Sequence, residues 1–189
     1  MRHPWKIAGS LLALLAGCRS RAAEHERALS TPDHGHSQLT ALHSSCDDPA
    51  PDGPGVIFAS PYTTGRSALY KRNFQSPAPI LLAGADADLR MPAPSPDGRT
   101  LAFVSNTRGK WDLFQVSLPH TEVARWTLVA GSDEDEATPA WSPDGEQLAW
   151  SALDRRDGVW RMRIRARDGS VREFRFDKGG DQFYDQISA

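Results

Sequence analysis

Signatures of catalysis are scarce in this 189-residue sequence. It contains no Gly-x-Ser-x-Gly elbow, no His-Glu-x-x-His and no phosphate-binding glycine loop, so the usual marks of a serine hydrolase, a zinc peptidase or a nucleotide enzyme are missing. Cysteine is limited to Cys18 and Cys46, and His120 is the one histidine after residue 54. The formal net charge of −2 offers no basic excess for a nucleic acid, which excludes that class of partner. Long apolar runs are equally rare, and the one that stands out lies at the amino terminus.

There Arg2, His3 and Lys6 precede an apolar run from Ile7 to Ala16, which ends in Leu15-Ala-Gly-Cys18. A basic start, a short apolar core and small residues before a cleavage point describe a secretory signal over residues 1–17, too short to span a bilayer as a helix. The tetrapeptide Leu-Ala-Gly-Cys resembles the bacterial lipobox. That resemblance implies that Cys18 is the first mature residue and carries the lipid, with several acyl chains giving stable anchoring to a membrane. It also implies, through Arg19 rather than Asp after the lipid site, an outer-membrane lipoprotein facing the periplasm or the cell surface. Once Cys18 is acylated, Cys46 has no partner for an intrachain disulfide and is expected to be free or paired between chains.

Residues 18–53 have little periodic apolar content and are rich in Ser, His, Ala, Asp and Pro, so they read as a flexible tether. His34, His36 and His43 lie near Cys46, Asp47 and Asp48, all of which are zinc-ligand types. Their spacing matches no established closed site, so no metal site and no cofactor is expected.

From residue 54 onward the chain is repetitive. Ser-Pro-Asp-Gly occurs at Ser95 to Gly98 and again at Ser142 to Gly145, 47 residues apart, with its flanks. A period of roughly 40–50 residues suits one four-stranded propeller blade. Pro96 and Pro143 set φ for the second position of a type I turn, and Gly98 and Gly145 supply the left-handed residue that returns the chain as a hairpin. The strands Thr100 to Ser105 and Gln147 to Ala152 follow these turns, with Leu101 and Phe103 matching Leu148 and Trp150. A weaker copy lies upstream, where Gly55 to Ser60 puts Phe58 in register with Phe103 and Asp52-Gly53 is a remnant of the turn. Further strands are expected at 68–70, 112–116 and 159–165, and outer strands at 80–82, 126–129 and 172–176. For the last hairpin, a three-residue loop of Asp168, Gly169 and Ser170 pairs Ile164 with Phe174, Met162 with Phe176 and Arg165 with Glu173.

Pro139-Ala-Trp-Ser-Pro-Asp-Gly145, followed by Leu148-Ala-Trp150, resembles the WD-like blade of TolB-type β-propellers, with Pro94-Ser-Pro-Asp-Gly98 as a second match. The resemblance implies an all-β fold of blades with four antiparallel strands each, three of them visible, at about 54–91, 92–138 and 139–189. Propellers typically close with four to eight blades. The alternatives are a fragment of a longer frame, a ring completed by a second chain as a homodimer, or an open stack that leaves apolar faces in water.

Acidic residues recur with the blades: Asp86 matches Asp133, and Asp88 matches Asp135. In a propeller this segment joins an outer strand to the next inner strand. The four carboxylates, extended by Glu134, Glu136 and Asp181, are expected to form an acidic rim that binds a basic partner segment or a cation. Arg161, Arg163, Arg165 and Arg167 alternate along one strand and are expected on a solvated outer face paired with Glu173. Trp111, Trp126, Trp141, Trp150 and Trp160 are assigned to blade packing. The expected function is a lipid-anchored, cell-envelope propeller that binds a protein partner, and not an enzyme. The alternative is a propeller fragment of a secreted prolyl-oligopeptidase-like peptidase or a sugar-degrading enzyme, since this fold alone does not select a chemistry.

Overall fold

A computed structural model describes residues 44–75, 78–176 and 183–188, all within one unit, Leu42–Ala189. Three antiparallel sheets follow one another along the chain. The first contains β1 (Asp47–Asp52), β2 (Gly55–Ser60), β3 (Ala68–Asn73) and β4 (Ile80–Ala83) in sequential order. The second contains β5 (Leu89–Pro94), β6 (Thr100–Ser105), β7 (Asp112–Ser117) and β8 (Thr127–Ala130). The third runs β9 (Asp135–Trp141), β10 (Gln147–Asp154), β11 (Val159–Ala166), β12 (Val171–Phe176) and β13 (Phe183–Ser188). Among the described residues the only helical turn is a short 3-10 segment, Val123–Arg125.

The Ser-Pro-Asp-Gly turns form as their residues dictate. The Gly98 and Gly145 N–H groups each donate to the carbonyl of the leading serine at 2.9 Å, and both glycines have positive φ, 68° and 74°. In each copy the serine hydroxyl donates to the aspartate, at 2.6 Å from Ser95 and 2.5 Å from Ser142. It also accepts the N–H of Thr100 or Gln147 at 2.9 Å. These bonds hold Asp97 and Asp144 below the usual carboxylate range, the serine hydroxyl being the main cause. Gly53 keeps the left-handed φ, 53°, although the first copy of the turn is shortened.

The first sheet begins at Asp47, so β1 lies inside the segment expected as a tether. Each inner strand carries a bulge at a residue of positive φ that precedes a proline: Asp48 (51°), Met91 (51°) and Thr138 (49°). The bulges let Pro49, Pro92 and Pro139 enter a ladder that a regular strand would deny them. They also connect the sheets. Asp48 Oδ2 accepts the Met91 N–H at 3.1 Å, and Met91 Sδ accepts the Thr138 N–H at 3.2 Å.

The sheets stack through their faces. Ile57, Ala59 and Leu69 of the first sheet meet Leu101, Phe103, Phe114 and Val116 of the second, with Trp126 edge-on to Phe103 at 4.8 Å. Ala102, Val104 and Leu113 on the opposite face of the second sheet meet Leu148 and Trp150 of the third. The inner strand β5 lies against both β1 and β9.

One expectation, the register of the last hairpin, is corrected. The last hairpin does have a three-residue loop, but it is Arg167, Asp168 and Gly169, with Gly169 at φ 88° donating its N–H to the Ala166 carbonyl. Pairing therefore runs Met162 with Phe174, Arg163 with Glu173 and Arg165 with Val171, two residues away from the expected register on the same faces. Glycine occupies the third loop position because only that position demands a left-handed residue. The third sheet also has a fifth strand, β13, paired along all of β12.

Candidate functional site

The repeated carboxylates occur where one blade joins the next. Asp88 Oδ1 accepts the N–H of Ser67 at 2.9 Å, and Asp135 Oδ1 accepts that of Trp111 at 3.3 Å. Ser67 and Trp111 each precede the third strand of their sheet. Beside them run equivalent backbone bonds, Leu89 N–H to the Ser67 carbonyl and Glu136 N–H to the Trp111 carbonyl, both 2.7 Å. Asp86 pairs with Arg66 at 3.2 Å, and Asp133 with Lys110 at 2.8 Å and Arg156 at 3.5 Å. Arg155 grips Asp135 at 2.5 Å. Each of the four carboxylates thus has a cation or a backbone donor from the loop between the second and third strands. Lys110 holds Asp133 below its ordinary pKa.

The arginine row lies elsewhere than expected. Leu148 and Trp150 pair with Arg165 and Arg163, so these side chains share the face turned to the second blade. Arg161, 6% exposed, reaches Asp157 at 2.6 Å, Asp154 at 3.0 Å, Glu134 at 3.4 Å and Glu173 at 3.6 Å. Arg163 reaches Glu134 at 2.5 Å, Glu173 at 2.9 Å and Glu136 at 3.6 Å. Arg161 and Arg163 form an ionic seam within the third sheet, with the expected Glu173 among its partners, and Arg165 reaches Gln115 of the second sheet, whereas Arg167 is 80% exposed. Alternation with Trp160, Met162 and Ile164 marked two faces, but only the neighbouring blade decides which one is covered. Charge brought from three other strands makes the burial tolerable.

Glu136 is the exception within this seam. Its side chain is fully buried, neither oxygen has a hydrogen-bond partner, and burial pushes its pKa up to about 7 against the opposing pull of Arg163. Nothing in the sequence separates Glu136 from Glu134; the difference is that Glu136 lies within β9 and is fully covered, whereas Glu134 precedes the strand and keeps some contact with water.

The opposite face of the third sheet presents Trp160, 48% exposed, with Met162, Ile164 and Phe174 half-buried near it. In the second blade the position of Trp160 is taken by Trp111, which packs into the core shared with the third blade. Among the described residues no blade covers Trp160.

Solved structures match this stack of bulged, four-stranded sheets. One is described as TolB from Agrobacterium tumefaciens, with a TM-score of 0.57 at 15% identity over 79% of this chain and 68% of that one. TolB from Acinetobacter baumannii gives 0.53 at 16%, over 79% and 42% of the two chains. Oligogalacturonate lyase from Vibrio parahaemolyticus gives 0.53 at 14%, over 77% and 54%. The fold is that of a TolB-like β-propeller. The chain spans about half the length of the second and third of these propellers and 68% of the first. The sequence matches no family model and no curated protein. A lyase and TolB share this architecture, so the fold leaves the chemistry open.

Cys18, His34, His36 and His43 lie outside the described residues. Cys46 is a free thiol that packs against Val56, Phe58, Ala68 and Tyr70 of the first blade. Among the described residues no group of three His, Cys, Asp or Glu side chains is placed to hold a metal ion.

Proposed function

We propose that this chain is a lipid-anchored propeller of the cell envelope that serves as a protein-binding module. The observation that carries the reading is the uncovered face of the third blade. At the two joints the corresponding face is sealed by the next sheet, whereas no described sheet covers Trp160, Met162, Ile164 and Phe174. Apolar surface of this kind gains roughly 25 cal/mol per Å2 when a partner covers it, and contiguous patches mark contact sites. The anchor rests on Leu15-Ala-Gly-Cys18, with the outer membrane as its destination.

A photo-crosslinking side chain at position 160, with position 62 as an exposed control on the first blade, tests the surface in intact cells. A discrete adduct from position 160 alone supports the reading, and a self-adduct makes the partner a second copy that extends the ring. No adduct, or the same adducts from both positions, overturns it. The anchor is tested separately by Cys18→Ala, which moves the protein from the detergent phase to the aqueous phase; unchanged partition removes the lipid from the proposal.

A further inference from the structure

Arg165 is the member of the arginine row that has no counter-ion. Its Nη2 donates to the Gln115 Oε1 at 2.7 Å, and no carboxylate among the described residues lies within ion-pair distance of it. Arg161 and Arg163 hold several carboxylates each, and Arg167 pairs with Glu146 at 2.7 Å. A half-buried guanidinium fixed by one neutral amide keeps its remaining donors free. Burial without a compensating charge draws its pKa below the ordinary arginine value.

Those donors line a cleft of about 550 Å3 between the second and third blades, on the side of the Ser-Pro-Asp-Gly turns. That volume falls in the range, roughly 300–1,000 Å3, that takes small molecules. Gln115, Leu148 and Arg165 line its inner part, where Leu148 is 1% exposed. The Trp141 indole forms a wall and is held there by its Nε1 donating to the Ala93 carbonyl at 3.0 Å. Asp97 and Asp144 lie at the turns, both ionised and fixed by their serines. Glu146 and Arg167 also line it but neutralise one another at 2.7 Å, so the cleft offers one planar cation without a counter-ion, Arg165, and two carboxylates without a cation, Asp97 and Asp144.

We propose that this cleft binds a small zwitterion, an amino acid or dipeptide whose carboxylate is held by Arg165 and whose ammonium faces Asp97 and Asp144. A guanidinium fork matches a carboxylate with two parallel bonds, and the mouth acids repel a multiply charged anion such as phosphate. The site is separate from the Trp160 face and stands or falls independently of it.

Calorimetric titration of the intact chain with the dipeptide Gly-Leu, its C-terminal amide and its N-acetyl form tests the assignment. Gly-Leu binds with one-to-one stoichiometry, and both capped forms bind roughly tenfold more weakly or worse, the loss expected for a charge-assisted bond. Arg165→Lys preserves the charge and the stem, so folding is retained, yet it removes the fork and weakens Gly-Leu by a similar factor. Arg156→Gln, at the opposite end of the third sheet and outside the cleft, leaves binding unchanged. The proposal is overturned if Gly-Leu does not bind, if the amide binds as well as the free acid, or if Arg165→Lys binds like the native chain.

Discussion

Glu136 shows how a single buried group sets a pH dependence. Its pKa is 4.5 in an ordinary setting and about 7 here, because burial disfavours the charge more than Arg163 favours it. Between those values the folded protein holds a proton that the unfolded chain has released, so stability falls as pH rises from 4.5 to 7 and then levels off. The shift corresponds to on the order of 3 kcal/mol at pH 8. Glu136→Gln imitates the protonated form. It should therefore be more stable than the native chain at pH 8, and the two should converge near pH 4. Thermal denaturation across that range checks this, and parallel curves would show that Glu136 does not titrate in the seam. Arg163 keeps Glu134 and Glu173 in the variant, so no new unpaired cation confuses the comparison.

Among the elements, the turns were the most legible, because their conformation is fixed by their own four residues. Ser95→Ala and Ser142→Ala each remove a hydroxyl that both donates to an aspartate and accepts a backbone N–H. Ser95 is 8% exposed whereas Ser142 is more open to water, so Ser95→Ala should cost about 1–2 kcal/mol and Ser142→Ala less, since water replaces a lost bond only where it can reach. Chemical denaturation of the two variants decides the order, and an equal loss would contradict the burial argument. The strands after the turns were legible for the same local reason: Gly55–Ser60 and Thr100–Ser105 have the bounds that their apolar pattern indicates. By contrast β1 was hidden, since Asp47–Asp52 has three aspartates, two prolines and no apolar alternation. Its pairing depends on a bulge at Asp48 and on the sheet it joins. The repeated acids were visible as a period, but their partners were not. Asp88 and Asp135 cap backbone N–H groups of the preceding blade, whereas Asp86 and Asp133 are 99% and 77% exposed. Asp88→Ala should consequently loosen the first joint and lower the thermal midpoint, while Asp86→Ala should leave it unchanged; equal effects would mean that the joint does not depend on the cap.

At the scale of the whole molecule the two joints are built from different materials. Aliphatic and aromatic side chains close the first, from Ile57 and Leu69 to Phe103 and Phe114. The second sets Leu148 and Trp150 against the second blade beside the arginine seam, which ties the strands of the third sheet together and depends on carboxylates that can be neutralised. In an array where each blade touches only its neighbours, such a difference becomes a difference in local stability. Hydrogen bonds to Arg163 and Arg175 outweigh burial and hold Glu173 below its ordinary pKa, and backbone and Arg161 bonds do the same for Asp157. The pairs made by Glu173 and Asp157 therefore survive mild acid and are lost only when pH falls below the usual carboxylate range. Arg161 remains charged there, 6% exposed and without its four counter-ions, which is an expensive arrangement to keep buried. Strongly acidic solution should thus loosen the third blade before the first two. Hydrogen exchange near pH 3, compared with pH 6 after correction for the intrinsic rate, should show protection lost first in β10 and β11 while β2 and β6 stay protected. Phe103→Ala, which opens a cavity at the first joint worth roughly 3–5 kcal/mol, should reverse that order at both pH values. Uniform loss of protection in the native chain would mean that the blades unfold as one unit and that the ionic seam gives the third blade no separate response to acid.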